Sequence, residues 1–169
     1  SGGPTAAINA SLAGVVAAAR DFGIYDKIYG AIHGIQGVLK KHFLDLSDKD
    51  DAFIHKLART PAMYLGSCRF KLPDMSEDVS MYEEIFSIFK EMNIGAFFYI
   101  GGNDSMDTVA KLSAYAASIG NDIRIIGVPK TIDNDLIMTD HTPGFGSAAK
   151  YIASSIREIA YDTYIYDLE

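Results

Sequence analysis

The seven residues Pro129-Lys130-Thr131-Ile132-Asp133-Asn134-Asp135 combine the side chains that phosphoryl transfer needs. One carboxylate can take a proton from an attacking hydroxyl, a second can hold a divalent metal, and an ammonium can neutralise phosphate. Asp133 and Asp135 supply the carboxylates, Lys130 the cation and Thr131 a hydroxyl. One Asp is expected to face substrate and the other metal. The bland alternative is a polar loop whose Asp side chains cap their own backbone, and these residues alone leave both readings open.

Three further segments suit the same chemistry. Gly101-Gly102-Asn103-Asp104-Ser105 stands between an apolar run and a helical pattern. Glycine lets a phosphate approach the backbone, and the following helix offers unpaired N–H groups. The same residues also fit an ordinary strand-to-helix turn with Asp104 or Ser105 as N-cap. Gly2-Gly3, ahead of an Ala-rich stretch, repeats the device. Arg69 can offset charge on a transferred phosphoryl group, or be a surface arginine. His33, His42, His55 and His141 show no metal-ligand spacing with Cys68 and read as surface or packing residues.

The elements that must position these groups follow from pattern. Residues 5–20 have good helix propensity, residues 27–33 read as a short strand, and residues 48–57 as an amphipathic helix. A short strand is expected at 62–65, leading to Gly66-Ser67-Cys68-Arg69. Helical spacing runs over 79–93 through Ile85, Phe86, Ile88, Phe89 and Met92. Residues 94–100, with Phe97, Phe98 and Tyr99, form an apolar strand to which no cofactor is assigned. A helix over 105–119 closes at Gly120-Asn121, residues 123–128 form a buried parallel strand, and a long helix spans about 147–164. The alternation predicts an α/β fold, a doubly wound, largely parallel sheet with helices on both faces. The Lys130–Asp135 cluster then leaves the C-terminal end of a strand, where open α/β sheets bind ligands.

Composition narrows the class. A chain of 169 residues, 49% hydrophobic, can bury one core, and ten Tyr with nine Phe argue against disorder. The single cysteine excludes an internal disulfide. No apolar run reaches membrane-spanning length and no signal peptide opens the sequence, so a cytoplasmic protein without membrane association is expected. A net charge of −7 disfavours nucleic acid as a partner. No G-x-G-x-x-G fingerprint marks a strand-to-helix turn, which counts against a dinucleotide-binding domain.

The segments together resemble the N-terminal half of a 6-phosphofructokinase, and more closely the pyrophosphate-dependent branch. The likeness rests on Ser1-Gly2-Gly3 with Ala7-Ile8-Asn9-Ala10, Gly66-Ser67-Cys68-Arg69, Gly101-Gly102-Asn103-Asp104-Ser105, the Pro129 to Asp135 run, and Thr142-Pro143-Gly144-Phe145-Gly146-Ser147, in the family's order. It implies that Asp133 is the general base on the 1-hydroxyl of fructose 6-phosphate. Asp135 would order that base and the Mg²⁺ environment, and Thr131 would bind the sugar's reactive end. Gly2, Gly101, Gly102, Asp104, Ser105 and Lys130 would line the phosphoryl-donor site, with Arg69 and Lys130 offsetting developing charge. Asn9 reads as structural.

The resemblance also bears on the donor. ATP-using members carry glycine where Asp104 and Lys130 stand, so an added carboxylate and an added cation imply pyrophosphate over ATP. Asn103 departs from the family's usual aspartate near the metal and brings no charge. The family pattern further implies a strand before Ser1 and a second domain beyond Glu169. Residues 1–169 are therefore expected to be an incomplete donor-binding domain, inactive alone, of a chain that assembles as a homodimer or homotetramer. An ATP-dependent enzyme and a catalytically inactive sugar-phosphate-binding subunit are the alternatives. The reaction would be reversible and would serve glycolysis or gluconeogenesis.

Overall fold

The computed structural model describes residues 1–61 and 63–166. They form two compact units, Ser1–Lys130 and a second beginning at Thr131.

In the first unit, α1 (Ala6–Phe22) is followed by a short antiparallel ribbon. Its strands are β1 (Tyr29–Ala31) and β2 (Phe43–Asp45), with α2 (Ile35–Leu39) between them. The amphipathic helix α3 (Asp51–Arg59) starts where Asp50 accepts a hydrogen bond from Phe53 N–H at 2.8 Å, the usual N-cap device. Helix α4 (Ser80–Glu91) leads to β3 (Ala96–Gly101), then α5 (Asn103–Ser118) and β4 (Arg124–Pro129). β3 and β4 pair in parallel, Ala96 opposite Arg124 and Gly101 opposite Pro129.

The alternation of side chains along a strand sends β3 into two cores. Phe97 and Tyr99 join Phe86 and Phe89 of α4 with Leu112 and Tyr115 of α5. Ile100 joins Leu12 and Val16 of α1 with Ile54 and Leu57 of α3. Helices therefore cover both faces, and the fold is the expected α/β type. The first core is aromatic: Phe86 meets Tyr115 edge-on at 5.0 Å and Phe89 tilts over Phe97 at 5.1 Å. Burying side chains of this size contributes about 2 kcal/mol each. Gly127 sets how closely α5 approaches the sheet, because a methyl there would lie 2.7 Å from Met106 Sδ. The parallel register of Gly101 with Pro129 brings the α5 N-terminus level with the end of β4.

Four expectations need correction. The strand at 62–65 does not form in its described part. Tyr64 and Leu65 lie in a turn closed by Gly66 N–H on the Met63 carbonyl at 3.1 Å, and Ala62 lies outside the described residues. The backbone there is held by Asn9 and His33 rather than by a ladder: Tyr64 N–H donates to Asn9 Oδ1 and His33 N–H to the Leu65 carbonyl. The described strands do not form one largely parallel sheet: β3 and β4 make a parallel pair, and β1 pairs antiparallel with β2 in a separate ribbon, β2 being too short to show alternation. β4 is not buried; its side chains are half-buried or exposed, Ile126 at 38%, and β3 is its one strand partner among the described residues. Neither Asp104 nor Ser105 caps α5. Gly102 is the N-cap, and its carbonyl accepts from Ser105 and Met106 N–H at 3.0 Å each.

The second unit is a loop followed by α6 (Phe145–Ile165), a 21-residue helix with no buried residue.

Candidate active site

Three backbone segments meet around one cation in the first unit. Gly101-Gly102 leaves β3, Lys130 leaves β4, and the Ser1–Gly3 loop comes alongside. Lys130 N–H donates to the Gly101 carbonyl at 2.9 Å and the Ser1 nitrogen donates to the Ile100 carbonyl at 2.7 Å. The Lys130 ammonium then sits over the glycines: a methyl on Gly2, Gly3 or Gly102 would lie 3.6, 3.8 or 3.9 Å from Nζ. Gly2 has φ +79°, a left-handed conformation natural to glycine, and a methyl on it would also lie 3.8 Å from Gly102 N. Glycine at these positions leaves the backbone and the ammonium bare.

The start of α5 adjoins the cradle through Gly102. Asn103 and Asp104 are the first residues of α5, both exposed, and their N–H groups belong to the set a helix cannot bond internally. Asp104 places a carboxylate at that positive end. Gly101 and Ser105 have a different role from Gly102. A methyl on Gly101 would lie 2.1 Å from Ser105 Oγ and 2.9 Å from the Ser1 carbonyl. Ser105 is 3% exposed, so this pair packs the strand end against the helix.

The loop that carries Arg69 is tied to the same place. Ser67 Oγ donates to the Gly2 carbonyl at 2.6 Å, Ser1 Oγ to the Cys68 carbonyl at 3.2 Å, and Gly2 N–H to the same carbonyl at 3.5 Å. Arg69 follows directly, exposed and without an ion pair among the described residues. Cys68 of this loop is buried, as is Tyr99 of β3. Burial pushes the Tyr99 hydroxyl up to about 12. Asn9, fully buried, fixes the preceding segment with Nδ2 on the Thr60 carbonyl at 2.9 Å and Oδ1 on Tyr64 N–H at 2.8 Å. The structural reading of Asn9 agrees with these bonds.

The carboxylates lie in the second unit. Asp133 N–H donates to Thr131 Oγ1 at 3.0 Å, and both Asp133 and Asp135 are exposed. An extended segment would set them on one face, but Asn134 has φ +57° and breaks it. Its side chain spans the loop, Oδ1 accepting from Thr142 N–H at 2.9 Å and Nδ2 donating to the Asp140 carbonyl at 3.2 Å. Asn134 is the residue sequence reasoning passed over. Its signal was the tolerance of Asn for left-handed backbone, in a position read only as a spacer.

Among the described residues no three His, Cys, Asp or Glu side chains gather to hold a metal. None of their helices is long and apolar enough to cross a membrane.

Glycine loops converging with a lysine at parallel strand ends define an α/β domain of the ligand-binding kind, with its polar groups where such sheets take their ligands. A family model described as Phosphofructokinase matches residues 1–164, and the chain belongs to the phosphofructokinase family. It is 46% identical over 161 residues to the pyrophosphate–fructose 6-phosphate 1-phosphotransferase of Rhodospirillum rubrum, covering 95% of this chain and 39% of that protein. It is 48% identical over 162 residues to the protein of the same name from Xanthomonas campestris pv. campestris, covering 96% of this chain and 38% of that one. The crystal structure of a pyrophosphate-dependent phosphofructokinase from Nitrosospira multiformis superposes with a TM-score of 0.88 at 47% identity, over 96% of this chain and 40% of that one. The chain thus spans about two fifths of the length of the relatives it matches.

Proposed function

We propose that the protein carrying this chain transfers a phosphoryl group from pyrophosphate to the 1-hydroxyl of fructose 6-phosphate, giving fructose 1,6-bisphosphate and orthophosphate. The observation that carries the reading is the Lys130 ammonium within 4 Å of the methyl positions of Gly2, Gly3 and Gly102. A compact cation among bare backbone suits a terminal phosphate rather than a nucleoside. The names of the relatives at 46–48% identity support the same reaction.

Residues 1–130 supply the donor-binding groups and residues 131–166 the acceptor chemistry. Asp133 takes the hydroxyl proton as the sugar oxygen bonds to phosphorus and the bond to the leaving phosphate breaks. Thr131 binds the sugar's reactive end, and its hydroxyl already holds the Asp133 N–H. Lys130 and Arg69 offset the charge that develops. Asp104 fills and charges the path that a nucleotide's α-phosphate would take, so attraction and exclusion act together.

Oxygen donors of the kind carried by Asp135 and the Asn103 amide suit a hard cation held mainly by water and substrate phosphates. Mg²⁺ is the proposed metal, with Asp135 and Asn103 as its candidate ligands, and when bound it would neutralise phosphate charge. Asn103 brings no carboxylate, and this favours the second reading, a sugar-phosphate-binding subunit without turnover. Asn103→Asp distinguishes the two: a large gain in rate marks the weakened paralogue. The protein is proposed to be cytoplasmic and homo-oligomeric.

The donor filter is tested with Asp104→Gly and Lys130→Gly combined in a full-length chain containing these residues. The expected result is a shift from pyrophosphate toward ATP, and an unchanged donor ratio would rule the filter out.

A further inference from the structure

Two adjacent glycines make the peptide between residues 2 and 3 easy to rotate, because no side chain resists the change in backbone angles. One side chain opposes that rotation. Ser67 Oγ, half-buried, donates to the Gly2 carbonyl at 2.6 Å across 65 residues of sequence. The neighbouring bonds, from Ser1 Oγ and Gly2 N–H to the Cys68 carbonyl, lie before this peptide and leave it free to turn. In a planar trans peptide the carbonyl and the N–H point in opposite directions. Holding the Gly2 carbonyl on Ser67 therefore turns the Gly3 N–H away from Ser67. That N–H has no acceptor among the described residues, and the residue bearing it stands beside Lys130, its methyl position 3.8 Å from Nζ.

We propose that Ser67 is a positioning residue that locks the Gly2–Gly3 peptide so that the Gly3 N–H is kept as a donor to the terminal phosphate of the phosphoryl donor. The proposal rests on reading the Lys130 cradle as the donor site. With the lock released, the peptide can flip. A carbonyl oxygen would then replace the N–H, and an anion would meet a repelling dipole where it had met a hydrogen bond. Ser67 touches no reacting atom. It acts through backbone orientation, as a donor must when a catalytic pocket depends on fixed peptide dipoles.

The test compares wild type, Ser67→Ala, Ser67→Cys and Ser67→Thr in the full-length chain. Steady-state kinetics give the two KM values and kcat, and calorimetric titration with inorganic pyrophosphate gives binding without turnover. Ser67→Ala is expected to raise the pyrophosphate KM and Kd about tenfold, the loss of roughly one oriented hydrogen bond. The fructose 6-phosphate KM should stay within about twofold, and Ser67→Thr, which keeps the hydroxyl, should restore pyrophosphate binding. Should the alanine variant not fold, Ser67→Cys, a weak donor of similar size, carries the same comparison. Normal pyrophosphate affinity in the alanine or cysteine variant would overturn the lock while leaving the donor site intact. So would a rise in both KM values in step with a lower Tm. A wild-type chain that binds no pyrophosphate would overturn the donor-site reading and the lock together.

Discussion

Placing a methyl on Gly2 separates the two jobs of that residue. Gly2 has φ +79°, and an L-residue held in left-handed backbone costs about 1–2 kcal/mol. Its methyl would meet Lys130 Nζ at 3.6 Å and Gly102 N at 3.8 Å, ordinary contacts that add no clash to the empty protein. Stability should therefore fall by the backbone term alone, about 2–8 °C in Tm for a domain of this size. Function should fall further. A phosphate oxygen accepting from the ammonium needs to come within about 2.8 Å of it, and the methyl takes one side of that approach. Losing one charge-assisted hydrogen bond is worth about 1.5–3 kcal/mol, which raises the donor KM roughly 10- to 150-fold. The fructose 6-phosphate KM should not follow. Gly3→Ala is the comparison, since Gly3 lacks a positive φ while its methyl also faces Nζ at 3.8 Å. It should weaken the donor with little change in Tm. The assay is initial rates over a pyrophosphate series for both variants, with thermal melts. A Gly2→Ala enzyme with an unchanged donor KM and a lowered Tm would refute the claim that the cradle holds the donor.

Other residues give independent checks. Gly101→Ala drives a methyl to 2.1 Å from Ser105 Oγ and 2.5 Å from its Cβ. A destabilisation of about 1–3 kcal/mol or more is expected, and Ser105→Gly should recover only part because the Ser1 carbonyl remains at 2.9 Å. Full recovery in a denaturant melt would contradict the second contact. Asn9→Ala leaves the Thr60 carbonyl and Tyr64 N–H without their partner, and a loss of about 2–4 kcal/mol is expected. A denaturant midpoint near wild type would show that water replaces the amide. Tyr99, pushed up from 10.0 to about 12 chiefly by burial, binds its proton more tightly folded than unfolded. Its contribution is complete below pH 10 and is lost as pH climbs from 10 to about 12. The Tm difference between wild type and Tyr99→Phe should be flat below that window and shrink within it; a flat difference throughout would place the hydroxyl in water.

The fold was legible in the sequence where periodicity is strong, and the candidate site where its residues stand together in the chain. Lys130 leaves the end of a strand as expected, because the apolar run before it is long enough to be read. α4 shows in its repeating Ile85, Phe86, Ile88 and Phe89, all buried. α2 was obscured by glycine. Gly37 looks like a loop residue, yet it sits in a helix packed so closely that a methyl would lie 2.0 Å from the Ile32 carbonyl. β2 was missed because three residues, Phe43–Asp45, cannot display alternation. The strand expected at 62–65 fails because a side chain from α1, Asn9, claims the Tyr64 N–H. Such long-range bonds leave no trace in local spacing. The same limit hid the bond of Ser67 to Gly2, 65 residues away, whereas the bridging Asn134 acts within eight residues and was passed over as a spacer. The meeting of Gly2 with Lys130 needed the sheet itself, since neighbouring strand ends are brought level only by the parallel register of Gly101 with Pro129.

Product formation from fructose 6-phosphate by a full-length chain containing these residues, with Mg²⁺ and either pyrophosphate or ATP, tests the central claim most directly. Fructose 1,6-bisphosphate should accumulate with pyrophosphate and not with ATP. Turnover with ATP alone would contradict the assignment of Asp104 and Lys130. Turnover with neither would leave phosphoryl transfer itself unsupported, with Asn103 the first residue to restore to aspartate.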